Sequence, residues 1–93
     1  MLKFNASNLE ELQAEVKERG HEVAIAIVKS VCLALEQDVD HVEIGSVAGG
    51  GLSIGVKSAD FLKALELNLE RCQEAEEFEL CAKAVGWMAK LSA

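Results

Sequence analysis

Apolar positions recur at helical spacing in three parts of this chain and at strand spacing in one. The first helical stripe is Leu9, Leu12 and Val16. It follows the run Ser7–Asn8–Leu9–Glu10, which reads as a capping box, the Ser7 hydroxyl accepting from the Glu10 amide and the Glu10 carboxylate reaching back. Glu15 and Arg19 stand four apart and favour the same helix, and Gly20 suits a left-handed end to it. A second helix is predicted over about residues 22–37, where Ala24, Val28, Val31, Cys32 and Leu35 keep helical spacing. Val23, Ile25 and Ile27 alternate with alanines, so a strand over 22–28 is the competing reading; the longer periodic stretch favours the helix.

The period then changes to two. Val42 and Ile44 face one way, His41 and Glu43 the other. Beyond "SVAGGGLS", Leu52, Ile54 and Val56 share one face, and Ser53, Gly55 and Lys57 share the opposite one. Two alternating runs around a glycine-rich connection predict an antiparallel β-hairpin over about residues 40–57, with one face on the helices and one solvated. The Gly49–Gly51 run is read as its turn. A phosphate loop would need a helix directly after the glycines, and here a second strand follows, with neither a GxGxxG nor a GxxxxGK[ST] pattern.

The remainder, from the N-cap Ser58 onward, reads as a long C-terminal helix over about residues 59–90. Phe61, Leu62, Leu65, Leu69 and Cys72 form its apolar stripe, and Lys63, Glu66, Glu70, Glu74 and Glu77 its polar one. Past Glu77 the apolar side rotates, so that Phe78, Leu80, Cys81, Val85, Trp87, Met88 and Leu91 spread over most of the circumference. A break near residues 73–77 would let both halves face one core. Gln, Glu and Ala are good helix formers and no glycine, proline or asparagine lies there, which favours continuity. A continuous helix would be about 48 Å long and would overshoot a compact domain, so its second half is expected to pack on another subunit. The fold class is therefore α+β: one domain over residues 1–93 with two N-terminal helices, the hairpin and the long C-terminal helix.

Composition narrows the function. A 93-residue chain with 51% apolar residues has little interior in which to hide them, which points to a partner surface. The net charge of −7, with nine scattered basic residues, disfavours nucleic acid and acidic membrane surfaces and suits a basic or neutral protein partner. No apolar run reaches the ~20 residues needed to cross a bilayer. The opening MLKFNASNLEEL carries acidic residues where a signal peptide needs an apolar core, and three widely spaced cysteines, an odd number, read as reduced thiols; a cytoplasmic protein is expected.

Chemistry is thinly signalled. His21 and His41 share no metal-ligand spacing, Cys32, Cys72 and Cys81 form no CxxC pair, and no residue pattern marks a catalytic centre, so neither metal nor cofactor is assigned. The order of helix, hairpin and helix, with SADFLKAL opening the last helix, is loosely similar over about residues 22–75 to small phage head–tail joining proteins. The acidic balance and the extra C-terminal segment depart from that pattern, and no family is assigned on it. The expected function is a non-enzymatic interaction or adaptor protein acting as a homodimer. Its interface is placed on Phe78, Cys81, Val85, Trp87, Met88 and Leu91, and a partner-facing acidic stripe on Glu66, Glu70, Glu74 and Glu77. The alternative is a small-molecule-binding protein or small enzyme, with a pocket between hairpin and helices or at the subunit seam, drawing on His41 and Glu43.

Overall fold

The computed structural model describes residues 2–47 and 53–93. Along the chain lie β1 (Leu2–Phe4), α1 (Leu9–Glu18), α2 (Gly20–Glu36), β2 (His41–Val47), β3 (Ser53–Lys57), a single 3-10 turn (Ser58–Asp60), α3 (Phe61–Glu74) and α4 (Phe78–Leu91). The three strands form one mixed sheet in the order β1-β2-β3, with β1 parallel and β3 antiparallel to β2. The antiparallel β2–β3 pair expected of the hairpin is present, but β2 is the centre of a mixed sheet rather than one arm of an isolated hairpin; the glycine turn assigned to Gly49–Gly51, and Leu52 beyond it, lie outside the described residues. Among the described residues no helix is long and apolar enough to cross a membrane.

The core sits where α2 crosses α3 and α4. Val28, Val31 and Cys32 of α2 meet Phe61, Leu65 and Cys72 of α3 and Leu80, Cys81 and Ala84 of α4, all buried. On the sheet side Ile44 is buried and Val42 and Val56 pack against the same cluster. Alternation in β2 fails at one place: the register with β3 shifts between Glu43 and Gly45, so that Ile44 and Gly45 are both buried. Gly45 pairs with Leu2, and a Cβ at Gly45 would come within 2.8 Å of the Leu2 carbonyl oxygen, so a side chain there would push β1 away. The other face of the sheet, with Lys3, His41, Glu43, Ser53, Gly55 and Lys57, is exposed.

Three expectations are corrected. The long C-terminal helix is two helices. Ala75 caps α3, Glu76 takes φ 61°, the Glu76 amide donates to the Gln73 carbonyl and the Glu77 amide to the Cys72 carbonyl. This pair of bonds around a left-handed residue is a Schellman end, here with glutamate in the place glycine usually takes. The rotated apolar pattern supplies the reason: the turn swings Leu80, Cys81 and Ala84 back onto the core that Phe61, Leu65 and Cys72 already share. An unbroken helix would have carried them past a molecule whose longest extent is 40 Å.

The N-terminal cap is displaced by one residue: Asn8, not Ser7, accepts from the backbone, its Oδ1 receiving the Glu11 amide at 2.8 Å, while the Ser7 amide donates to Glu11 Oε2 at 3.1 Å. The Ser7 hydroxyl, which also donates to Glu11 Oε2, and then the Ser7 amide hold the Glu11 carboxyl below the usual range. Gly20 does not end a helix in a left-handed turn but opens α2 directly after Arg19.

Arg19 explains a strand that periodicity did not predict. Its guanidinium donates to the Lys3 carbonyl at 2.7 Å, pairs with Glu15 at 3.1 Å and Glu22 at 2.7 Å, and lies 5.1 Å from the centre of the Phe4 ring. Phe4, 1% exposed, is thereby sealed under the α1–α2 junction, which places Leu2–Phe4 alongside β2. No residue of α1 is buried, and Leu9 is 70% exposed, so these polar contacts carry much of its attachment.

Candidate functional site

Helix α4 is the element on which the expected interface residues fall. Its inner side, Leu80, Cys81 and Ala84, is buried against α2 and α3. Trp87 and Met88 are half-buried against the same core. Of the six residues assigned to the interface from sequence, Cys81 thus lies in the core of its own chain, and Trp87 and Met88 lie largely on it. Phe78, Val85 and Leu91 are exposed, at 65%, 52% and 38%. Leu91 is four residues past Trp87 and shares its side of the helix, away from Phe78.

What remains uncovered is a narrower stripe. Phe78, Ala82, Val85 and Ala89, spaced four, three and four apart, occupy one face, and all are exposed. Ala82 and Ala89 were missed in the sequence because alanine marks no face by itself; the 4-3-4 spacing from Phe78 was the available signal. One flank of this stripe is charged. Glu79 lies in the first turn of α4, Lys83 near its middle and Lys90 in its last turn. Lys83 reaches toward Glu36 of α2, 3.9 Å away, and the Lys90 ammonium sits 4.8 Å from the Trp87 ring centre.

The acidic stripe is three residues long rather than four. Glu66, Glu70 and Glu74 stand on the outer face of α3, with the exposed Leu67 beside them and Glu74 3.2 Å from the His21 ring. The α3–α4 turn carries Glu77 away to an open groove of about 360 Å³ between α2 and α4, which it shares with Lys29, Cys32, Leu33, Glu79 and Lys83.

His41 and Glu43 lie on the exposed face of the sheet, with the Ser53 hydroxyl 3.5 Å from Glu43 Oε1 and the His41 ring over Gly55. A cleft of about 270 Å³ does lie between hairpin and helices, lined by Ile27, Gly55, Val56, Asp60 and Lys63 among others, but neither His41 nor Glu43 lines it. The three cysteines are free and buried. Burial pushes the Cys72 thiol up to about 11, with Cys81, Glu77 and Cys32 adding to the shift. Burial likewise raises Cys32, with Glu36 reinforcing it. A thiol held protonated is a poor nucleophile and a poor metal ligand. Among the described residues no group of His, Cys, Asp and Glu is arranged to hold a metal ion. Compared with protein families, curated proteins and solved structures, the chain gives no match.

Proposed function

We propose that this chain is a non-enzymatic, acidic protein-interaction or adaptor protein that works as a homodimer. In this reading α4 provides the self-association surface, and the outer face of α3, with Glu66, Glu70 and Glu74, is left for a further basic or neutral partner. The observation that carries the reading is the uncovered apolar side of α4: Phe78 and Val85 are more than half exposed on a helix whose opposite side already fills the core. Large apolar side chains aligned on one exposed helix face favour a protein partner over water. The raised thiols of Cys32 and Cys72 argue against thiol catalysis.

Light scattering on the purified chain tests it. A mass of two chains at micromolar concentration is expected; a mass of one chain would defeat the reading.

The second reading, a small-molecule-binding protein, draws on the α2–α4 groove, whose volume of about 360 Å³ lies at the low end of ligand sites. A thermal-shift screen with small ligands separates the two. Stabilisation that Leu33→Glu in the groove abolishes would favour the second.

A further inference from the structure

We infer that the second copy docks α4 against α4 in antiparallel orientation, stripe on stripe, with Glu79 of each copy paired to Lys90 of the other. The inference rests on the homodimer reading above and adds the face, the orientation and the ion pairs.

Charge complementarity decides the orientation. Glu79 and Lys90 lie on the same flank of the stripe Phe78–Ala82–Val85–Ala89, one at each end of the helix. In a symmetric antiparallel pair the same flank of each helix faces its counterpart, whereas in a parallel pair opposite flanks meet. The opposite flank here carries Cys81, which is buried in its own core, with Met88 and Ser92, and no Asp, Glu, Lys or Arg. Only the antiparallel arrangement therefore brings Glu79 to a lysine. It also sets the two helix dipoles antiparallel, the positive end of each beside the negative end of the other.

The register follows from the same residues. An axis passing between Ala84 and Val85 puts Glu79 level with Lys90 of the other copy, twice over by symmetry. That axis sets Val85 against Val85 and seats Phe78 of each copy beside Ala89 of the other. The two alanines leave room for the phenyl rings at a normal helix separation. Within its own chain neither charge is held in an ion pair among the described residues: Lys90 rests only on the Trp87 ring and would turn from it to reach Glu79 of the other copy, while Lys83 on the same flank already reaches Glu36.

The test uses the full chain and four variants, Val85→Asp, Glu79→Lys, Lys90→Glu and the double reversal, followed by sedimentation equilibrium at low and high salt. Val85 is 52% exposed, so Val85→Asp should keep the helical circular-dichroism spectrum while shifting the mass to one chain. Each single reversal removes two pairs and sets like charges together, weakening the dimer about tenfold at low salt and less at high salt. The double reversal should return the dissociation constant to within about threefold of the parent, a margin that corresponds to well under 1 kcal/mol.

A parent chain that is monomeric overturns both the homodimer reading and this inference, and hands the stripe to a partner of another kind. A dimer that survives Val85→Asp overturns the choice of face. A dimer that Val85→Asp dissociates but the double reversal does not restore overturns the antiparallel pairing while leaving the homodimer reading intact.

Discussion

Replacing Glu76 by glycine tests the break between α3 and α4 by the sign of its effect. Glu76 holds φ 61° in the Schellman turn. A residue with a Cβ pays roughly 1–2 kcal/mol in that conformation, and glycine escapes most of it. Glycine in turn loses about 0.5–1 kcal/mol more chain entropy on folding. The net is a stabilisation of about 0.8 kcal/mol. Unfolding entropy near 2.1 cal/mol/K per residue makes 1 kcal/mol worth about 5 °C at this length, so Tm should rise by about 4 °C. Had α3 and α4 formed one helix, the same glycine would sit in a helix interior, cost about 1 kcal/mol and lower Tm by about 5 °C. Circular-dichroism melts at one fixed protein concentration measure the difference, since the Tm of a self-associating chain moves with concentration. Glu76→Ala is the control: it keeps the Cβ and should bring no such gain. A Tm that falls with Glu76→Gly would refute the two-helix arrangement and the folding-back of Leu80, Cys81 and Ala84 that follows from it.

The remaining predictions concern the cap and the thiols. Asn8→Ala removes the acceptor of the 2.8 Å bond from the Glu11 amide and should cost about 1 kcal/mol, or about 5 °C in Tm. Glu10→Ala should leave Tm nearly unchanged, and the reverse ranking in melts would return the cap to the Ser7–Glu10 register. A thiol reagent such as DTNB at pH 8 should leave the folded chain unlabelled and count three thiols only after guanidinium is added; fast labelling of folded protein would contradict their burial. Cys72 rises from its ordinary 9.0 to about 11 on folding, so the folded state prefers the protonated thiol. The stability linked to that preference is complete below pH 9 and lost as pH climbs toward 11, and Tm should fall across that window rather than rise.

Much of the architecture is written in spacing alone. The helical period of Ala24, Val28, Val31 and Cys32 and the stripe Phe61, Leu65 and Cys72 name most of the core, because only residues three and four apart can face one neighbour together. The two-residue period of Val42 and Ile44, answered by Ile54 and Val56, yields the β2–β3 pair for the same kind of reason. Strand β1 was not legible: three residues carry no period, and Leu2–Phe4 is a strand because Arg19, sixteen positions away from Lys3, binds its carbonyl and roofs Phe4. The acidic stripe was legible up to Glu74 and no further, since Glu77 follows the chain around a turn. The interface set mixed two sides of α4, because an apolar residue looks the same in sequence whether it faces its own core, as Cys81 does, or water, as Val85 does.

The sequence by itself thus determined α1, α2, the β2–β3 pair, the helical character of the C-terminal segment and which side of α2 and α3 is apolar, because those depend on neighbours a turn or less away. Only the tertiary structure decided that the last helix breaks and which face of α4 stays uncovered. No local preference asks Glu76 to turn left-handed; burying Leu80, Cys81 and Ala84 on the core shared by α2 and α3 does.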